Sequence, residues 1–422
     1  MEAVSAFLAL GPAVLIPAIV TVLGLSLGLG PGRAVRSGLA TAVGFVGMFL
    51  VLGLLAQTLS PLVAAMVKRF HLGLEVADVG WPVSAALSYC WRLTPLFLLI
   101  IAGFNLALFL CRLTQTLDID IWNYWQFLFT GAIVYHACGK SLVAAVVAVL
   151  ACEGLTLVLA DRTQPLVERY FGLKGVSIPH VGTVVWALPA WALNRLIDCI
   201  PGLRRLNADS DSVRRRLGVL GEPMAVGGTL GAGLAALAGY PATGVVSVGV
   251  TVGAVMVLLP RMVEHLAEGL RPVCERAAEV VGRRFPGRRV NIGLDVAVLI
   301  SHPAVITTAL LMVPLSLAVA VVLPGNRILP FTDLAILPSM VTFLVGASRG
   351  NLVRATLVGL MMLPLFLWVA SDLAPAHALM LEDAPTRMAG VALPEPGSPV
   401  GSFYTGTMVV PWVLRGLLRL IW

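Results

Sequence analysis

Apolar runs long enough to cross a bilayer recur from one end of this chain to the other, and that feature removes most folds from consideration. A spanning helix needs about 20 apolar residues, and stretches such as Phe7 to Gly30 and Gly38 to Leu59 supply them. With 58% apolar and only 12% charged residues among 422, the chain carries roughly half the charge of a soluble domain. The expectation is an all-α polytopic membrane protein with about ten or eleven transmembrane helices plus re-entrant or broken segments. The first apolar run lacks a basic segment before it and a small-residue cleavage site after it, so it reads as a retained span. The net charge of +7 lies in short loops between apolar runs, which fits membrane orientation and excludes nucleic acid as a partner. Six cysteines, none in a Cys-x-x-Cys pair, read as small buried hydrophobes; no metal or cofactor is expected.

Two weakly similar halves lie within the chain. Gly11-Pro12-Ala13-Val14 is echoed by Gly221-Glu222-Pro223-Met224, and Ser60-Pro61-Leu62-Val63 by Leu270-Arg271-Pro272-Val273. Gly73-Leu74-Glu75-Val76 is echoed by Gly293-Leu294-Asp295-Val296, and Gly139-Lys140-Ser141-Leu142-Val143 by Arg349-Gly350-Asn351-Leu352-Val353. Arginines at 204, 205 and 214–216, and those from Arg261 to Arg289, mark cytoplasmic segments, whereas Gly239-Tyr240-Pro241 is uncharged and fits the exterior. In the first half the corresponding connection carries Arg33 and Arg36 and belongs inside, so the halves are inverted, as in transporters that bind substrate at the repeat interface. Lys68 and Arg69 then face outward, which an interfacial helix from Pro61 to His71 would accommodate.

These patterns divide the chain into scaffold spans of the first repeat (1–72), its core with broken helices (73–200), second-repeat scaffold spans with a cytoplasmic amphipathic segment (201–290), a second core (291–371), and a loop with a C-terminal span from Met408 to Ile421 (372–422). The stretches Gly73 to Ala160 and Asn291 to Ala370, interrupted by Gly, Pro and charge, are expected to build the substrate path, because irregular backbone at membrane depth needs protein or a wet cavity around it.

Polar residues inside such segments are costly and become candidates for function. Asp78 and Trp81 pair a carboxylate with an aromatic ring, suited either to a polyol or to an interfacial loop with Trp81 as anchor. After Asp118 and Asp120, Asn123 remains a candidate, while Trp125 reads as a bilayer anchor. Thr130, Tyr135, His136 and Lys140 lie deeper, with His136 and Lys140 on one face if the helix continues. His180, flanked by Pro179 and Gly182, sits in a turn that exposes the imidazole either to a cavity or to the cytoplasmic surface. Glu222 stands before a Pro-started helix, where it complements the dipole. Asp295, His302 and Asp333 are the second-half positions, Asp295 being the repeat mate of Glu75. No phosphate-binding Gly-x-x-x-x-Gly-Lys loop occurs.

Val76-Ala77-Asp78-Val79-Gly80-Trp81-Pro82, Phe129-Thr130-Gly131-Ala132, Ile178-Pro179-His180, Gly221-Glu222-Pro223, Gly293-Leu294-Asp295 and Arg349-Gly350-Asn351-Leu352 run in an order that resembles the galactitol-type membrane components (IIC) of the bacterial phosphoenolpyruvate-dependent phosphotransferase system, relatives of the ascorbate IIC transporter. The resemblance implies a homodimer in the inner membrane, with a dimerisation domain and a transport core domain that moves like an elevator. It further implies a sugar alcohol as substrate, phosphorylated on release by a phosphocysteine on a separate cytosolic IIB protein that IIA recharges. By the same resemblance His180, Tyr135, His136, Asp78 with Trp81, and Asp295 lie at the substrate. The stretch from Tyr135 to Lys140 departs from the family pattern. The rival expectation is an ion-coupled transporter of a polyol or sugar acid that works without phosphorylation.

Overall fold

The computed structural model describes residues 12–71, 74–120, 123–204, 222–284, 289–330, 332–382, 387–388, 391–392 and 399–421. Two helical hairpins form a scaffold: α1 (Pro12–Ser26) with α2 (Pro31–Arg69), and, in the second half, α8 (Pro223–Leu237) with α9 (Ala242–Arg284). Proline opens α2 and α8, at the helical position whose N–H has no acceptor within the helix. At 1.5 Å per residue α2 and α9 are each about 60 Å long, roughly twice a hydrocarbon core. The expected break at Pro61 is absent, as is the expected division of the second scaffold span from its amphipathic continuation. Continuous packing outweighs the backbone bond that an internal proline removes. Ser37 donates its hydroxyl to the Gly269 carbonyl, and a Cβ on Gly44 would stand 2.5 Å from the Leu266 nitrogen. With Gly269 set equally close to Thr41, α2 and α9 run antiparallel.

Arginines tie the hairpins together reciprocally. Arg276 of α9 donates from Nε to the Leu27 carbonyl at the end of α1 (2.8 Å), and Arg69 of α2 donates to Ala236 and Leu237 at the end of α8 (3.2 and 3.0 Å). Arg69 is thereby committed to helix-end carbonyls, which is why a basic residue can stand at that end of the scaffold.

The remainder alternates helices with very short strands. The first half gives β1 (Ala77–Asp78), α3 (Trp81–Cys90), α4 (Thr94–Leu110), β2 (Thr116–Asp118), α5 (Tyr124–Ala137), α6 (Leu142–Phe171), β3 (Val176–Ser177) and α7 (Ala187–Asp198). The second gives β4 (Asn291–Gly293), α10 (Pro303–Val322), α11 (Leu337–Ala347), α12 (Leu352–Glu382), β5 (Val400–Gly401) and α13 (Val409–Arg419). Strand β4 lies between β2 and β3, with Asn291, Ile292 and Leu294 donating to Gln115, Gly175 and Ser177. In the same pattern Val76, Ala77 and Val79 donate to Arg327, Pro399 and Gly401, so β1 lies between the chain at Ile328 and β5. Each half thus inserts its first strand between two strands of the other. Val76 and Asn291 hold corresponding places, a register that differs from the sequence match of Glu75 with Asp295.

Five described helices (α2, α6, α9, α10 and α12) are long and apolar enough to cross a membrane, or six if α3 and α4, bent by 99°, count as one span. This is fewer than the ten or eleven expected, because several apolar runs fold as shorter helices. The stretches expected to be broken are interrupted at the 99° bend between α3 and α4 and at their short strands, while also containing α10 and most of α6 and α12 as continuous helices; α12 takes up the start of the expected loop after Asp372. The expected C-terminal span is the 11-residue α13, about 16 Å long and too short to cross. Helix α5 ends at Ala137, where Gly139 and Lys140 take positive φ (61° and 64°), so His136 and Lys140 do not share a helical face. Arg349 and Gly350 repeat that left-handed turn (53° and 76°), and Ser141 and Asn351 cap the helices that follow.

Candidate substrate site

Strand β3 ends at Ser177, and beyond Ile178-Pro179 His180 is extended (φ −108°, ψ 109°) ahead of a helical turn, Val181–Val184. The side chain is 3% exposed. Its Nδ1 lies 3.0 Å from Thr183 Oγ1, its Nε2 lies 3.0 Å from Tyr404 Oη, and the same Nε2 is 3.6 Å from Asp295 Oδ2. Imidazole and phenol can each donate or accept, so this trio can adapt to a hydroxyl-bearing guest.

The segment that leads from β2 into α5 abuts this trio. Asp120 Oδ2 accepts from the Asp295 N–H (3.0 Å), and Gln126 Oε1 accepts from the Gly182 N–H (2.9 Å). Asn123 and Gln126 are 1% and 0% exposed, yet both side-chain atoms of Asn123, Gln126 Nε2 and Asp118 Oδ2 complete no well-formed hydrogen bond among the described residues, the Asn123 amide standing close enough to Asp118 only to favour its carboxylate. Each such buried atom costs about 1–3 kcal/mol, so a cluster of four calls for a ligand or a function. Two amides and a carboxylate offer the mixed donors and acceptors that a chain of hydroxyls would satisfy. A cavity of about 730 Å³ lies between α9 and the chain around β3 and β4, lined by Lys174, Val176, Arg271, Glu275, Leu294 and Val298; His180, Tyr404 and Asp295 do not line it.

A carboxylate clasp positions Tyr404. Asp333 accepts from the Trp81 N–H (2.7 Å), the Ser402 hydroxyl (2.6 Å) and the Tyr404 N–H (2.8 Å). Asp78 accepts from the N–H groups of Gly80, Phe403 and Asp333 (3.3, 3.1 and 3.1 Å). Asp78, Trp81 and Asp333, expected at the substrate, are therefore brought together as a brace that joins three chain segments.

The comparisons with known proteins fix what kind of chain presents this site. The model for the phosphotransferase system (PTS) sugar-specific permease component matches residues 6–394. The chain belongs to this permease family. It is 34% identical over 403 residues to the PTS galactitol-specific EIIC component of Escherichia coli K12, covering 94% of this chain and 89% of that protein. A putative permease IIC component of the same strain is 36% identical over 369 residues, covering 87% and 84%. With its apolar helices, the permease is a multi-pass protein of the bacterial inner membrane.

Other expected site residues of the permease lie elsewhere. Tyr135 accepts from Arg92 and packs against Trp91 (ring centroids 5.6 Å apart), with His136 beside it. It stands nine residues beyond Gln126 on α5, about 13 Å along the axis, so the grouping of Tyr135 and His136 with His180 does not hold. His302 caps α10 through Nδ1 and stacks on Tyr170 at 4.6 Å. Glu222 opens α8 in the scaffold, without a side-chain cap bond. Glu75, the sequence mate of Asp295, is exposed and pairs with Arg327 at 3.1 Å, so the two carboxylates do not face one cavity. Trp125, expected as a bilayer anchor, is 2% exposed and packs against Tyr404 and Phe129. Tyr404, Gln126 and Asp120 were not among the expected site residues. Tyr404 falls in a stretch whose Pro and Gly content reads as a plain loop; Gln126 and Asp120 sit in a segment whose aromatics read as an anchor.

Proposed function

We propose that this permease carries a sugar alcohol of the galactitol kind across the inner membrane and delivers it for phosphorylation by a cytosolic IIB protein that IIA recharges. The observation that carries the reading is the set of buried polar atoms on Asn123, Gln126 and Asp118 that complete no well-formed hydrogen bond among the described residues, beside the His180, Tyr404 and Asp295 trio. A hexitol presents hydroxyls along its whole length, and an uncharged guest suits a site that combines amides, an imidazole and carboxylates. The galactitol specificity in the name of the 34% identical relative points the same way.

The reading extends to architecture. Reciprocal strand insertion, reciprocal arginine caps and antiparallel α2 and α9 support two inverted copies of one fold, with the substrate where they meet. The hairpins would form the dimerisation domain of a homodimer, and the cavity between α9 and the strands supports a core that slides against that scaffold like an elevator. Phosphorylation makes the product anionic and stops its return through the apolar barrier.

Uptake of labelled galactitol by cells expressing the permease, with and without the phosphorelay, tests this. Uptake that requires the relay and is abolished by His180→Ala is the expected result. Uptake that survives loss of the relay but collapses with a protonophore would replace the reading with ion-coupled transport.

A further inference from the structure

A second, larger cavity of about 980 Å³ lies between the C-terminal half of α6, α7 and the turn that joins α11 to α12. Five arginines line it: Arg162 and Arg169 from α6, Arg195 from α7, Arg349 from the turn and Arg354 from α12. The one acidic residue among the described residues of the lining, Asp198, pairs with Arg354 at 2.7 Å. The other four arginines have no carboxylate partner among the described residues. Their charge places this end of the core on the cytoplasmic side.

Two features mark the cleft as more than a solvated basic surface. Asn194 lines it at 8% exposure, with Nδ2 donating to the Ala190 carbonyl (2.9 Å) and the Ser348 hydroxyl (3.0 Å), while Oδ1 has no partner among the described residues. That orients the amide: the lone acceptor, not the donors, is left for a guest. Arg349 holds a φ of 53°, where its counterpart in the other left-handed turn is Gly139. A long side chain there costs about 1–2 kcal/mol over glycine, and Arg349 lines the cavity.

We propose that this cleft binds a phosphate group that carries a short polyol, the phosphate held by the arginines and a hydroxyl donating to Asn194 Oδ1. Guanidinium forks match phosphate oxygens in geometry and charge, and the amide acceptor distinguishes a hydroxylated phosphate from the bare ion. Two sources share this chemistry: a phosphorylated sugar alcohol leaving the complex, and the glycerophosphate headgroup of an anionic lipid. Only the first rests on the function proposed above.

The test uses the full-length permease in phosphatidylcholine nanodiscs, titrated calorimetrically with a hexitol 1-phosphate, the unphosphorylated hexitol and inorganic phosphate. The hexitol phosphate is expected to bind more tightly than inorganic phosphate. Arg169→Gln with Arg349→Gln should weaken it by on the order of a hundredfold, about tenfold per arginine, and Asn194→Ala should remove the preference over inorganic phosphate. His180→Ala should leave this binding intact while abolishing that of the unphosphorylated hexitol, so failure of the two sites is separable. Discs that contain phosphatidylglycerol form the second arm. Lipid retained by the parent but not by the double arginine variant in native mass spectrometry, with no hexitol phosphate binding, assigns the site to the headgroup. If neither ligand binds the parent, or both bind the arginine variant equally well, the proposal is overturned; retained binding of unphosphorylated hexitol certifies that the variant is folded.

Discussion

His180 Nε2 and Tyr404 Oη lie 3.0 Å apart although 224 residues separate them in the chain. Tyr404 reaches that position because Asp333 accepts its N–H, and Asp333 in turn receives the Trp81 N–H and donates its own N–H to Asp78. The imidazole of His180 is thus registered through Tyr404 against segments from both halves of the chain, by carboxylates that bond backbone N–H groups rather than the imidazole.

Tyr404→Phe removes the phenolic oxygen and little else. Galactitol affinity is expected to fall about five- to tenfold, the equivalent of roughly 1–1.5 kcal/mol for one buried hydrogen bond, with the melting temperature close to that of the parent. Titration of the purified permease with galactitol, alongside thermal unfolding in detergent, checks both. Unchanged affinity would remove Tyr404 from the site.

Asp333 and Asn123 are both buried, but their substitutions should behave oppositely. Asp333→Ala strands the Trp81 and Tyr404 N–H groups and the Ser402 hydroxyl, at about 1–3 kcal/mol each, so little monodisperse protein is expected. Asn123→Ala removes an amide that completes no well-formed hydrogen bond among the described residues; the protein should fold and lose substrate affinity instead. Size-exclusion profiles and binding isotherms of the two variants decide the matter, and a folded, binding-competent Asp333→Ala would undo the brace.

Much of this architecture was legible in the sequence, for reasons that also explain what was not. Burial in lipid demands apolar runs, so membrane residence was readable, and Pro31 and Pro223 mark the starts of helices α2 and α8. The two-residue left-handed turn at Gly139-Lys140 and Arg349-Gly350 was visible as a sequence match, because positive φ restricts the choice of residue. Span number was not legible: the stretch from Met408 to Ile421 reads as a crossing segment, yet it carries Arg415 and Arg419 and only Val409 to Arg419 forms a helix. His180 stood out as a lone imidazole between Pro and Gly. Tyr404 did not, since a tyrosine in a loop acquires meaning only from the long-range brace that aims it.

The crossing of α2 and α9 makes a steric prediction. A Cβ on Gly44 would meet the Leu266 backbone at 2.5 Å, whereas at Gly53 on the same helix nothing lies within 4 Å. Gly44→Val should destabilise the permease by about 1–3 kcal/mol or more, as overpacking does, while Gly53→Ala should be neutral or gain up to about 1 kcal/mol in helix propensity. Thermal unfolding of the two variants compares them directly. Equal stability would mean that the long helices do not cross where Gly44 lies.

The reciprocal arginine caps predict additivity. Arg69 serves the end of α8 and Arg276 the end of α1. Because α2 and α9 run antiparallel, with Gly44 against Leu266 and Gly269 against Thr41, these caps stand near opposite ends of the scaffold, about 50 Å apart at 1.5 Å per residue. Arg69→Met and Arg276→Met each withdraw a charged donor from carbonyls left over at a helix end, at a cost of about 1–3 kcal/mol. Sites so far apart with no shared partner should add to within about 0.5 kcal/mol, so the double variant should lose the sum of the two. A coupling well above that margin would mean that the two ends of the scaffold open together, and would argue against hairpins that cap one another independently.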